Sequence, residues 1–204
     1  LALQSVLFPV ANSIVQAAVN TMGTDTIAAW GVCDKLDMLI WLLADAMGPA
    51  LTTYTAQNMG AGRWDRVCKG NRIGAAMSVA AVGTVSLGLY FLTAPLGGLF
   101  VPVQEAAAVV PQAVAFMRRM APFFLFYALA ESFSGACCGT GDTVRPMILT
   151  LLSICLLRVL GILLVLPRQH TMECIIDIYI SSWIAAGIGF LILWQWEKNR
   201  VQKT

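Results

Sequence analysis

The 204-residue chain is 58% hydrophobic and only 12% charged, with a formal net charge of +2. Soluble domains carry about 25% charged residues, so this composition excludes an ordinary water-soluble fold and makes a lipid bilayer the expected surroundings. The basic residues are spread along the chain rather than gathered in one tail, and we therefore expect no nucleic-acid partner.

Long uncharged stretches follow one another along the chain, among them residues 1–24 and 73–104. A helix needs about 20 mostly apolar residues to cross a bilayer, and these stretches are too long and too uniform for strands. Turn-like residues divide the chain into six predicted spans, at roughly residues 2–22, 26–56, 70–100, 105–139, 144–166 and 174–196. The sequence thus predicts an all-α integral membrane protein with one domain of about six transmembrane helices, residues 1–204. Because residue 1 is Leu within an apolar stretch, we expect the chain to be an excerpt from a longer protein.

The first predicted span has one polar face, formed by Ser5, Pro9, Asn12, Gln16 and Asn20. Polar residues inside a membrane often hydrogen-bond one helix to another, and this structural role is one interpretation. The other is that Gln16 and Asn20 bind a substrate or an ion.

The second predicted span contains four charged residues, Asp34, Lys35, Asp37 and Asp45. A charge at the centre of a membrane helix costs about 2.5–3.5 kcal/mol on insertion scales, so each one requires a reason. At 100° per residue, Asp37 lies about 60° and Asp45 about 20° from Asp34, and these three carboxylates form what we call the acidic stripe.

Trp30 and Trp41 lie on the same face as the acidic stripe. In one interpretation, the stripe is an interfacial helix end in which Asp34, Lys35 and Asp37 pair locally. In the other, it lines a water-filled cavity, which the deeper position of Asp45 favours.

The fourth predicted span has Glu131 within its apolar part, on the same face as Tyr127. Arg158, in the fifth span, is its most plausible ionic partner, and a purely structural Glu131–Arg158 pair remains an alternative to a role in ion binding. No nucleophile–His–acid set, phosphate-binding glycine loop or metal-spaced cysteine cluster accompanies these residues. We therefore expect neither an enzyme nor a bound metal or cofactor.

The distribution of Lys and Arg predicts the orientation, because cytoplasmic loops carry the excess of positive charge. One side of the predicted membrane carries eight such residues, Arg63, Arg66, Lys69, Arg72, Arg145, Lys198, Arg200 and Lys203. The other side carries three, Arg118, Arg119 and Arg168. Both ends of the chain are accordingly predicted to be cytoplasmic, in a multi-pass protein of the cell membrane.

Two motifs resemble those of the multidrug and toxic compound extrusion (MATE) transporters. The first is Gln57-Asn58-Met59-Gly60-Ala61-Gly62-Arg63 with Asp65-Arg66, which closes the second span. The second is Cys138-Gly139-Thr140-Gly141-Asp142-Thr143, with Pro146 after it. The first motif is preceded by Ile27-Ala28-Ala29, and the similarity extends over the whole chain.

The resemblance implies one six-helix lobe, more similar to the C-terminal one, of a twelve-helix transporter with two lobes. It implies export of organic cations or drugs in exchange for sodium ions or protons by alternating access. The residues then expected to bind substrate or ion are Asp34, Asp37, Asp45, Glu131, Gln16, Asn20, Trp41 and Tyr127. Lys35 and Arg158 are expected to have structural or coupling roles.

The chain departs from the family pattern at two places. Cys138 precedes Gly139 where the family usually has Arg, and the family's acidic position in the fourth helix falls nearer Tyr127 than Glu131. Two other functions stay open. A lipid-linked oligosaccharide flippase of the same superfamily would have similar helices but a more cationic cavity, and a non-transporting membrane scaffold would give no reason for an acidic stripe.

Overall fold

The computed structural model describes residues 2–201 and, from residue 7 onward, their side chains. The α-helices in this part of the chain are α1 (Ala2–Val19), α2 (Thr24–Gly60), α3 (Trp64–Gly97), α4 (Val103–Met120), α5 (Phe124–Gly139), α6 (Val144–Thr150), α7 (Leu157–Leu164) and α8 (Met172–Val201). A 3-10 turn, Ala121–Phe123, joins α4 to α5, and a π-helical segment, Leu151–Leu156, joins α6 to α7. The side chain of Ser5 and the whole of Lys203 lie outside the described residues.

The predicted all-α membrane class is confirmed. By length and composition, four helical segments of the described chain could cross a membrane: Trp64–Gly97, Val103–Gly139, Val144–Leu164 and Met172–Val201. The apolar part of α1, Leu7–Val19, is shorter. Helix α2 has 37 residues and contains the four charges of the second predicted span. The division into six spans therefore stays a prediction.

The helices extend further than hydropathy predicted at the first basic loop. Helix α2 ends at Gly60 rather than near residue 56, and α3 begins at Trp64 rather than near residue 70. Hydropathy marks where the apolar part of a helix ends, whereas charged residues such as Arg66 and Lys69 are compatible with further helical turns. Three residues, 61–63, form the whole connection.

Two predicted spans are interrupted in the structure. The span predicted at 105–139 contains the 3-10 turn at Pro122, since proline has no N–H to continue the helical hydrogen bonding. The span predicted at 144–166 contains the π-helical segment. Just before this segment the Thr150 hydroxyl donates to the Pro146 carbonyl at 3.0 Å, and within it the Ser153 hydroxyl donates to the Leu149 carbonyl at 2.7 Å.

Helix α2 lies in the middle of the bundle, against α3, α4 and α5, while α5 also packs on α8. Helices α2 and α5 approach at their glycines, as membrane helices commonly do. A Cβ atom at Gly135 would collide with the backbone of Gly48, and one at Gly139 would lie 2.6 Å from the carbonyl oxygen of Thr52. The Thr52 hydroxyl donates to the Gly135 carbonyl at 3.0 Å. The position of every acidic-stripe residue relative to α5 depends on this contact.

The two motifs that carry the family resemblance form the turns between helices. Gly62 and Gly141 have φ angles of 66° and 94°, in the left-handed region that favours glycine. The backbone N–H of Arg63 donates to the Asn58 carbonyl at 2.8 Å, and the Thr140 hydroxyl donates to the Cys137 carbonyl at 2.8 Å. These bonds satisfy carbonyls at the C-terminal ends of α2 and α5, as helix-ending motifs do.

Candidate functional site

A cavity of about 360 Å³ lies between α1, α2, α5, α7, α8 and the end of α4, and we call it the main cavity. Ligand pockets in proteins commonly measure about 300–1,000 Å³. The residues that line it are Phe8, Asn12, Gln16, Trp30, Asp34, Asp37, Trp41, Asp45, Met120, Tyr127, Arg158, Tyr179 and Trp183. The structure therefore brings together the acidic stripe and four further residues predicted for the site, Gln16, Trp41, Tyr127 and Arg158.

Aromatic donors hold two carboxylates of the acidic stripe. The Trp41 indole Nε1 donates to Asp37 Oδ1 at 2.9 Å, and the Tyr127 hydroxyl donates to Asp45 Oδ1 at 2.7 Å. The side chain of Asp37 is 5% exposed, whereas Asp34 and Asp45 are more open. Pro49 cannot donate to the carbonyl of Asp45, one turn earlier, so the helical hydrogen bonding is interrupted at the carboxylate that holds Tyr127.

Five aromatic rings surround these carboxylates in a connected series. Trp41 meets Tyr127 edge to face, with ring centroids 4.5 Å apart, and lies 5.9 Å from Trp183. Tyr179 lies 5.8 Å from Trp183 and 5.5 Å from Trp30. Such edge-to-face pairs are favoured by the charge distribution of the rings and hold them in fixed orientations. The main cavity thus combines negative charge with rigid aromatic walls.

Arg158 has other partners than the one predicted. Its side chain is 3% exposed, and its Nε donates to the Ser182 hydroxyl at 2.9 Å. The guanidinium carbon lies 4.0 Å from the ring centroid of Tyr179. No ion pair joins Arg158 to Glu131 within the described part of the chain, so the predicted structural pair is wrong. The π-helical segment ends two residues before Arg158, and its extra residue per turn changes which way the following side chains point.

Glu131 lies in a neighbouring compartment rather than in the main cavity. This second cavity, of about 650 Å³, lies between α2, α5 and α6, and Phe8 of α1 lines both cavities. Tyr127, which binds Asp45, lies one helical turn before Glu131 on α5. The expected carboxylates are therefore distributed over two adjacent spaces, with Tyr127 and Phe8 between them.

Two further predicted residues lie at the edge of the site or outside it. Asn20 does not line the main cavity, but its side-chain oxygen accepts a hydrogen bond from the Gln16 amide at 3.0 Å. Lys35 is exposed, with its Nζ 5.2 Å from the ring centroid of Phe100. Among the described side chains, Lys35 pairs with neither Asp34 nor Asp37, so the local pairing expected of an interfacial helix end is not observed.

Sequence reasoning missed the contribution of α8. Tyr179, Ser182 and Trp183 contact Arg158 or line the main cavity, and they lie three and four residues apart on one helix face. That spacing of two aromatic residues and a hydroxyl on one helix face was the available signal. The face contains no charge, so the cost of charges inside a membrane gave no reason to select it.

Comparisons with known proteins agree with this architecture. The family model MatE matches residues 1–164. The chain is 21% identical over 203 residues to the probable multidrug resistance protein YoeA of Bacillus subtilis, covering 97% of this chain and 43% of that protein. It is 25% identical over 99 residues to the FAD transporter of Shewanella oneidensis, covering 48% of this chain and 22% of that protein. The chain thus spans less than half the length of these relatives. Since the family model covers most of its length, this chain belongs to the MatE family and is a multi-pass membrane protein of the MATE transporter type.

Proposed function

We propose that this chain forms one lobe of a two-lobe secondary transporter that exports organic cations or cationic drugs in exchange for sodium ions or protons. The observation that carries the proposal is the main cavity, which is lined by three carboxylates and six aromatic rings. The similarity to a probable multidrug resistance protein supports it, as does the length of that protein, which leaves room for a second lobe. A transporter family also fits the expectation that the chain is not an enzyme.

The charge of the main cavity favours a cationic substrate. Three carboxylates, Asp34, Asp37 and Asp45, oppose one guanidinium, Arg158, so the formal charge with all groups ionised is −2. A cation over a tryptophan or tyrosine ring gains about 0.5–2 kcal/mol, and more when it is desolvated. The negative charge argues against a flippase for an anionic lipid pyrophosphate. A scaffold without transport gives no role to Asp37, a carboxylate enclosed beside an internal cavity.

Exchange follows if substrate and coupling ion compete for the same carboxylates. A sodium ion or proton bound at Asp37 or Asp45 cancels the charge that attracts the organic cation, so the two occupants exclude each other. Tyr127 donates to Asp45 and lies one turn from Glu131, so ion binding at Glu131 can change the position of Tyr127 in the main cavity. Alternating access then requires only that each occupant favours a different orientation of the lobes.

We also propose that both ends of the chain are cytoplasmic, because the basic residues gather at the beginning of α3 and at the end of α8. Reporter domains inserted at Gly62 and at Gly141 should then be cytoplasmic, and one inserted at Gln169 should be extracellular. A cytoplasmic signal at Gln169 would contradict the orientation.

The transport proposal is tested in proteoliposomes that contain the full-length transporter. Addition of a lipophilic cation such as tetraphenylphosphonium should drive sodium ions or protons in the opposite direction, recorded with an ion-sensitive dye inside the vesicles. Asp25→Asn, in the first turn of α2 and outside both cavities, is the matched control and should behave as the unaltered protein. Movement of lipid between leaflets without ion movement would indicate a flippase, and neither movement would indicate a scaffold.

A further inference from the structure

A third cavity lies apart from the two that contain the predicted site residues. It measures about 510 Å³ and lies between the beginning of α3, the end of α8 and the flank of α5. Its polar rim carries Lys69, Arg72 and Lys198, and the rings of Trp64 and Trp194 form its sides. We call this cavity the basic cleft.

The cations of the basic cleft lack carboxylate partners. Among the described side chains, none of the ion pairs includes Lys69, Arg72 or Lys198. Asp65 also lines the cleft, so three positive charges face one negative charge and the space remains positive.

The other wall of the basic cleft is apolar. Phe133 and Leu191 line it, and the Phe133 ring lies 6.2 Å from that of Trp194, centroid to centroid. The Trp64 and Trp194 centroids are 6.1 Å apart. Tryptophan is enriched at the headgroup level of membranes, where its ring is partly apolar and its N–H stays polar. A positive rim above an apolar wall is complementary to an amphiphile with an anionic head.

The position of the basic cleft agrees with this chemistry. It lies beside the turn between α2 and α3 and near the end of α8, on the side where eight Lys and Arg residues gather. In the orientation proposed above, on which this step rests, that side is the cytoplasmic face, and the cytoplasmic leaflet is the one that carries anionic lipids. Basic pockets between membrane helices on that face commonly bind lipid headgroups.

We propose that the basic cleft binds an anionic phospholipid of the cytoplasmic leaflet. The phosphate of the headgroup lies among Lys69, Arg72 and Lys198, while an acyl chain covers Phe133 and Leu191. This site does not depend on the proposed transport function, because it shares no residue with the main cavity or with the compartment of Glu131.

The test uses the full-length protein in phosphatidylcholine nanodiscs with increasing phosphatidylglycerol that carries brominated acyl chains. Bromine quenches tryptophan fluorescence at contact distance, so phosphatidylglycerol should quench at lower mole fraction than brominated phosphatidylcholine. The variant Trp64→Phe should remove part of the quenched signal. A hydrogen bond from a charged side chain to the phosphate contributes about 1.5–3 kcal/mol, so Lys69→Gln combined with Lys198→Gln should weaken the lipid affinity roughly 150-fold or more.

Arg66→Gln is the matched control, because Arg66 lies in the same turns of α3 but does not line the basic cleft. It should weaken the lipid affinity by no more than about fivefold, which is the general attraction of one cation to an anionic membrane surface. An equal loss in this control would show general surface attraction and overturn the proposal. If millimolar inorganic phosphate displaces phosphatidylglycerol at a fixed lipid concentration, the site binds a free anion and the proposal is overturned too. Thermal unfolding in phosphatidylcholine alone confirms that each variant is folded before it is titrated.

Discussion

Asp37→Asn is expected to abolish substrate-driven ion exchange while the protein still reaches the membrane. The Asn side-chain oxygen can still accept the hydrogen bond that Trp41 Nε1 gives to Asp37 at 2.9 Å, so the local structure is retained. The negative charge is lost, however, and the site loses its attraction for a cation. A carboxylate and a cation about 4–6 Å apart attract each other by roughly 3–4 kcal/mol at an effective dielectric constant of about 20, so the loss in substrate affinity should be about 100-fold or more.

The measurement is the rate of ion movement driven by tetraphenylphosphonium in proteoliposomes, with the amount of reconstituted protein determined separately. Asp25→Asn provides the comparison, because it removes one carboxylate from the same helix outside the cavities. Exchange at the unaltered rate in Asp37→Asn, together with a lower unfolding temperature, would mean that the acidic stripe anchors a helix and binds no substrate.

Gly135→Ala is expected to prevent α2 and α5 from packing. The added Cβ atom would collide with the carbonyl and Cα of Gly48, which are backbone atoms and cannot move aside as a flexible side chain could. Separation of the helices would also break the bond from Thr52 to the Gly135 carbonyl. Overpacking costs about 1–3 kcal/mol or more, and here it displaces the helix that carries every acidic-stripe residue.

Size-exclusion chromatography of the detergent-extracted, fluorescently tagged protein should therefore give little monodisperse Gly135→Ala. Gly88→Ala is the matched control, because a Cβ atom at Gly88, inside α3, meets nothing within 4 Å. Alanine favours a helix over glycine by roughly 0.5–1 kcal/mol, so this variant should be as stable as the unaltered protein or slightly more stable. Equal yields of the two variants would contradict the close α2–α5 contact.

The acidic stripe could be predicted because helical geometry is local. Asp34, Asp37 and Asp45 lie on one continuous helix, so the 100° rotation per residue was enough to place them on one face. Gln16 and Tyr127 could be anticipated as polar or aromatic residues on the faces of their own helices. The residue pattern of a single helix could not show how that helix is placed against its neighbours.

The partner of Arg158 illustrates this limit. Charge alone suggested Glu131, but the structure places Arg158 against Tyr179 and Ser182 of α8 and places Glu131 in another compartment. The π-helical segment before Arg158 shifts the direction of its side chain, and no apolar periodicity in Leu151–Leu156 reveals such a segment. The motifs that carried the family resemblance form turns. Cys138, Thr143 and Pro146 of the second motif line the compartment of Glu131, but no motif residue lines the main cavity, so the motifs predicted the family better than the main cavity.

The central claim is that a cationic substrate occupies the main cavity, and photoaffinity labelling measures this most directly. A lipophilic cation with a photoreactive group is irradiated with the full-length transporter, and the labelled peptides are identified by mass spectrometry. Labels are expected within Trp30–Asp45 of α2 and Tyr179–Trp183 of α8, and excess unlabelled cation should suppress them. Saturable labelling confined to other parts of the protein, with these two segments unlabelled, would contradict the account.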